Sequence, residues 1–261
     1  MTEMSLVVDA LREQRLEVSQ IDGTLNVAHG TGLMAHKANL EPTRLLSALA
    51  DAAPLEAKRL TAGYASGVKA VLLEPVRSKA RHWSFVESAG SVLPSIEVKS
   101  FTWGVADAAG EEALFDELGD DLVLAWTMRL DRGMRVVTRP QYDEWGVTRD
   151  RMVAAARSLL YHMTRDVDWE SGDWPETVHA IRVGDGFDAS RLLVVEDVFY
   201  SQLDVGWRFA VPEQNVLLAV STPDATDALS EVARTMYKTA PYPLSDQIWR
   251  LEKGSIIAEN P

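Results

Sequence analysis

Leu122-Val-Leu-Ala-Trp-Thr-Met-Arg-Leu-Asp131 alternates, with Leu122, Leu124, Trp126 and Met128 on one face, the period of two that a half-buried strand requires. Asp131-Arg-Gly133 supplies turn chemistry, and Met134-Arg-Val-Val-Thr138 returns as a second strand. Pro140 closes it, because proline cannot continue a ladder. Beyond Gly146, Thr148 is placed to cap a helix, its hydroxyl accepting from an unpaired N–H in the first turn. In that helix Met152, Ala155, Ala156, Leu159, Leu160 and Met163 recur at spacings of three and four, while Arg149, Asp150 and Arg157 fall off the stripe. A hairpin followed by a helix that packs one face on a sheet sets the expected class, α+β.

Upstream, Leu6, Val7, Ala10 and Leu11 lie at helical spacing within a first helix from Ser5 to Arg15. Leu16–Ile21 and Thr24–Ala28 flank Asp22-Gly23, a pair suited to a two-residue type I′ hairpin turn. Leu33–Ala38 is expected to add a third strand, and Pro42 opens a helix packed through Leu45, Leu46, Leu49 and Ala50. Ala57–Leu73 reads as a second helix or an apolar strand. The small-residue stretch Ser88-Ala-Gly-Ser91 suggests a boundary, giving an N-terminal α+β unit at 1–87 and a C-terminal one at 88–261. Each is expected to hold a mainly antiparallel sheet flanked by helices. Between Asp107 and Asp121 lie only acidic charges, read as an exposed helix around Glu111–Leu118 with loops on either side.

Downstream, Thr177–Val183 alternates like a strand, and Asp188 is placed to cap a helix carrying Leu192, Val195 and Val198. Trp207–Val211 and Val216–Val220 read as paired strands before a helix from Pro223 to Lys238, and Gln247–Leu251 with Ser255–Ala258 as a last hairpin.

Val92-Leu-Pro-Ser-Ile96, the hairpin through Asp131, Trp145-Gly-Val-Thr148 and Ala154-Ala-Ala-Arg-Ser-Leu-Leu160 together resemble the YtpQ-like family of uncharacterised bacterial proteins, a domain of unknown function. Asp185-Gly-Phe-Asp-Ala-Ser-Arg-Leu-Leu193 is similar to that family's Asp, aromatic, Ser-Arg-Leu-Leu segment. The resemblance implies a fold relationship and brings no activity with it. The chain departs from the pattern at Pro212-Glu-Gln-Asn215, where the family has an Arg-Asp pair.

The 261 residues are 46% hydrophobic and 25% charged, an ordinary composition for a chain with a real core. No run approaches the length of a membrane span, and Met1-Thr-Glu-Met lacks a basic leader region, so a cytoplasmic protein without a membrane partner is expected. The absence of cysteine removes disulfides, thiolate nucleophiles and zinc–sulfur sites. A net charge of −13 repels a phosphate backbone and directs expectation away from nucleic acid, toward a protein with a basic surface. Arg77-Ser-Lys-Ala-Arg-His82, the one sharply basic run, reads as a solvated loop.

Gly30-Thr-Gly-Leu-Met-Ala35 matches the loose dinucleotide pattern, but Pro42 interrupts the helix that should follow and Asp51 falls in a helical pattern. In Gly63-Tyr-Ala-Ser-Gly67 the serine stands one place too late for a nucleophile elbow. Counted from Asp166, a calcium loop would need Gly and Glu where Ser171 and Thr177 stand. His29, His36, His82, His162 and His179 form no metal pair on a common helix face, so no metal or cofactor is expected. Two polar constellations survive. Asp185, Ser190 and Arg191 form a possible anion or polar site and the seed of a hydrolase or transferase site, although Arg191 can equally pair with Asp185 or Asp188. Asp166, Asp168, Glu170 and Asp173 with Trp169 and Trp174 combine charge with apolar anchors, the makings of a partner-binding surface. The second fits the expected function: a binding or adaptor protein, chaperone-like or immunity-type, leaning away from an enzyme and of unspecified oligomeric state.

Overall fold

A computed structural model describes residues 2–30, 36–73, 83–119, 121–130, 133–199, 206–252 and 255–259. The chain divides into two compact units, Met1–Leu93 with Glu97–Met152, and Pro94–Ile96 with Val153–Pro261. The boundary anticipated at residues 87 and 88 falls within a short helix of the first unit, Phe85–Ser88. Arg77–His82 lies outside the described residues, as do residues 31–35 of the glycine-containing stretch.

The first unit begins with helix α1 (Glu3–Glu13) and an antiparallel sheet of β1 (Glu17–Ile21), β2 (Thr24–His29) and β3 (His36–Leu40). Asp22 and Gly23 both adopt positive φ, as a type I′ turn demands, and set the register Ile21↔Thr24. Leu25, Val27, Ala38 and Leu40 point from one sheet face into a core completed by α1, α2 (Thr43–Leu49) and α3 (Pro54–Leu72). The region read as helix or strand is therefore helix: Pro54 opens it, and its 19 residues exceed an ordinary strand.

Helix α3 crosses α5 (Lys99–Ala109) through a seam of small residues. A Cβ added at Gly67 would overlap the Phe101 carbonyl oxygen, and one at Gly104 the Tyr64 carbonyl oxygen. Gly63-Tyr-Ala-Ser-Gly67 thus serves backbone approach. In the same crossing Tyr64 donates its hydroxyl proton to Asp107 Oδ2 at 2.7 Å. Burial raises the Asp107 carboxyl above its ordinary range against the pull of the Tyr64 hydroxyl, and burial with this bond raises Tyr64 as well. A carboxyl raised on folding contributes stability below the ordinary carboxylate range and loses it as pH climbs through the folded value. Asp107→Asn keeps an acceptor for Tyr64 and removes the ionisation. Urea unfolding across pH should therefore show the variant gaining on wild type as pH rises from the acid side toward neutrality. Parallel curves would contradict this.

The hairpin anticipated at residues 122–138 forms as β6 (Leu122–Leu130) and β7 (Gly133–Val136), with Leu130 opposite Gly133. Its burial departs from expectation. Val123, Ala125 and Thr127 are buried as well as Leu122, Trp126 and Met128, so both faces of β6 are covered, while β4 (Val92–Val98) pairs along one of its edges and its other partners along the second. Ala125 joins Phe101 and Val105 of α5 in a further cluster.

The expected exposed helix at Glu111–Leu118 is corrected. Phe115–Leu118 forms strand β5 on β6, with Asp116 opposite Leu124, and Ala113 and Leu114 are buried. Between the two pairings, Trp126 N–H donates to Leu114 and the Trp126 carbonyl accepts from Val137. Unpaired backbone groups along β6 recruit the segment, overriding its local preference.

Helices α6 (Arg139–Trp145) and α7 (Arg149–Thr164) follow α4 (Phe85–Ser88) in the count of helices. Thr148 caps α7 as expected, its Oγ1 accepting from Arg151 N–H at 3.4 Å. Met152, Ala156 and Leu160 are the buried line of the helix.

The second unit carries a five-stranded antiparallel sheet in the order β12-β11-β9-β10-β8: β8 is Val178–Ile181, β9 Arg208–Ala210, β10 Leu217–Val220, β11 Ile248–Glu252 and β12 Ser255–Glu259. One face, with Val178, Ala180, Ala210, Leu218, Val220 and Ile248, packs with Leu229 and Ala233 of α9 (Thr226–Thr239). The alternating residues His179, Ala219, Phe209 and Trp249 stand opposite one another on the other face. The whole is an α+β protein, as its hairpin patterning predicted. Among the described residues no helix is long and apolar enough to cross a membrane.

Candidate functional site

Asp185, Ser190 and Arg191 do converge on one segment, but as a closed knot. The helix expected after Asp188 is a 3-10 turn, Ala189–Leu193, followed by the short helix α8 (Val195–Phe199). Asp188 does stand at the N-cap position, immediately before that turn, but in αR geometry and with no side-chain cap bond to it. Its carboxylate reaches backward instead, accepting from Val183 N–H at 3.0 Å and Gly184 N–H at 2.7 Å.

Arg191, fully buried, donates from Nη1 to Asp188 Oδ1 at 2.8 Å and Asp185 Oδ1 at 2.9 Å, and from Nη2 to Asp185 Oδ2 at 2.8 Å. Asp185 also accepts from Phe187 N–H. Ser190 Oγ accepts from Ile96 N–H at 3.0 Å. Burial pushes the Asp188 carboxyl up, opposed by the Gly184 and Val183 N–H groups and by Arg191. The knot orders the loop into the sheet; no side chain in it is presented to solvent as an anion receptor. The cap expected at Asp188 is therefore replaced by a role in the knot, and its loss should exceed the roughly 1 kcal/mol of a helix cap.

The acidic stretch lies apart in character. Asp166, Asp168, Glu170, Asp173 and Glu176 are all exposed on a segment without regular structure. Asp166 meets Arg165 at 3.3 Å, while among the described residues Asp168, Glu170, Asp173 and Glu176 face no cation in an ion pair. The segment is anchored where Glu170 and Ala180 exchange backbone hydrogen bonds at 2.7 and 3.0 Å. This ties it to the outer edge of β8, where acidic groups also discourage a further strand.

Trp169 and Trp174 are both half-buried. Trp174 packs on the α9 side of the sheet and donates Nε1–H to Val178 O at 2.8 Å. Trp169 lies 5.2 Å from Phe199 and 5.7 Å from Trp207, ring centroid to centroid. Trp207 in turn stacks on His179 and Phe209, each at 6.2 Å. Both tryptophans thus belong partly to the fold and only partly to a surface.

Sequence reading missed the aromatic row, because His179, Trp207 and Phe209 come together only through the register of β8, β10 and β9. The alternation of Thr177–Val183 was the available signal, since it sets His179 on the face opposite Val178 and Ala180. A second missed assembly is Arg149, placed off the helix stripe. Its guanidinium lies 4.4 Å from the Trp126 ring centroid and pairs with Asp116, to which Trp126 Nε1 also donates at 3.1 Å. The arrangement locks the start of α7 onto β5 and β6.

Among the described residues no three or more of His, Asp and Glu gather as a metal centre. The antiparallel pairing of β2 and β3 is also foreign to a dinucleotide-binding βαβ unit. No protein-family model matches the chain, and no curated protein or solved structure is significantly similar to it.

Proposed function

We propose that the protein binds another protein through its acidic segment, as an adaptor or a chaperone-like or immunity-type masking protein, and that the partner presents a basic surface. The observation that carries this reading is the exposure of Asp168, Glu170 and Asp173, without cation partners among the described residues, on a segment pinned to β8 beside the half-buried rings of Trp169, His179 and Trp207. In a chain of net charge −13, such groups add to a field that attracts a basic partner before contact. Contact then places apolar groups against Trp169 and Trp207, with the carboxylates at the rim.

The rival, a hydrolase or transferase around Asp185, Ser190 and Arg191, loses support because Arg191 Nη1 and Nη2 bond the two aspartates, which also accept from backbone N–H groups; of the guanidinium nitrogens the buried Nε alone lacks a partner among the described residues. The resemblance to YtpQ-like proteins would imply a fold relationship alone and adds no activity.

Capture from a native-host lysate should recover a basic protein with wild type and markedly less of it with Asp166→Asn, Asp168→Asn, Glu170→Gln and Asp173→Asn combined. Equal recovery would refute the surface. The carboxylates are the better test than the tryptophans, since truncating either ring also removes core packing.

A further inference from the structure

The hairpin of β2 and β3 places His29 directly opposite His36. Residues so paired project from the same sheet face with Cβ atoms about 4.5–5.5 Å apart. Alternation assigns both to the face that carries Leu25, Val27, Ala38 and Leu40 inward, at the end of the sheet where that face opens. Both are half-buried, and His29 Nδ1 is covered and meets no hydrogen-bond partner among the described residues. A covered imidazole nitrogen is costly without a partner.

We propose that His29 and His36 form a two-histidine site for a divalent first-row transition ion, exemplified by Zn2+. Two imidazoles at this separation can bring one nitrogen each to about 2.0–2.1 Å from a shared ion, the distance zinc takes to histidine. With no third histidine or carboxylate gathered nearby among the described residues, water fills the other positions. Such a site is open to exchange and to a further ligand. Nitrogen donors favour Zn2+, Ni2+ and Cu2+ over Mg2+ and Ca2+, which seek oxygen. The ion is not needed to build the unit, whose core is apolar. This inference stands apart from the acidic surface, which lies in the other unit.

Calorimetric titration with Zn2+ tests it, using wild type, His29→Gln, His36→Gln and the control His162→Gln. One site should titrate in wild type and in the control. Its affinity should fall about a hundredfold in either pair variant, since the second imidazole acts as a tethered ligand. Mg2+ should give no signal. Should a pair variant fail to fold, nitrogen-15 spectra of wild type decide instead: Zn2+ should shift the imidazole signals of His29 and His36 and leave those of His162 and His179 in place. Wild-type affinity in both folded pair variants, or Zn2+ shifts confined to other histidines, would overturn the site.

Discussion

Arg191→Ala is expected to lower the unfolding free energy of the second unit by about 4 kcal/mol, the scale for removing one member of a buried ion pair. Asp188, itself fully buried, would be left with two N–H donors and no countercharge, and Asp185 would lose a bidentate partner. Arg191→Lys should recover only part of the loss, because an ammonium cannot reproduce the fork that spans both aspartates. The measurement is the urea midpoint followed by tryptophan fluorescence. A change under about 1 kcal/mol, the scale of a surface pair, would mean that Arg191 is held for a ligand and would revive the enzymatic reading.

Gly104→Ala should destabilise the first unit by about 2 kcal/mol even though alanine favours helix. The propensity gain is about 1 kcal/mol. Against it stands overpacking of about 3 kcal/mol, because the new Cβ meets the Tyr64 carbonyl, a backbone atom that cannot swing aside as a side chain would. Gly67→Ala meets the Phe101 carbonyl in the same crossing. The double variant should therefore cost less than the two single losses together, since the first substitution already parts the helices. A stabilising Gly104→Ala would show that the seam is looser than its geometry.

The hairpins at 16–28 and 122–136 were legible because each pairs an alternating run with turn residues of local chemistry, and the one at 248–259 from two apolar runs flanking Lys253-Gly254 in the sequence. Helix α7 was legible for the same reason, through Thr148 and the Met152–Leu160 stripe. What escaped was decided at a distance. Phe115–Leu118 becomes a strand because β6 offers it backbone partners, not because of its own residues. Arg149 reads as a surface charge until Trp126 and Asp116 are brought beneath it. At the sites, the sequence grouped Asp185, Ser190 and Arg191; Asp185 and Arg191 pair, while Ser190 accepts from Ile96 N–H instead. The sequence could not show that their hydrogen-bonding capacity is turned inward, because that depends on Val183, Gly184 and Ile96 presenting backbone N–H groups. The division of Trp169 and Trp174 between core and surface was equally hidden, since it rests on Phe199 and Trp207.

In the proposed function, the segment from Asp166 to Glu176 captures a basic partner electrostatically. Carboxylates there act over a screening length of about 8 Å at physiological salt, so their effect belongs to the encounter. The most direct measurement is the association rate of the purified partner with wild type and with the quadruple amide variant across a salt series. Wild type should associate faster at low salt, and the variant should be slower with a flatter salt dependence, while dissociation rates stay similar. Unchanged association rates and an unchanged salt slope in the variant would contradict the account.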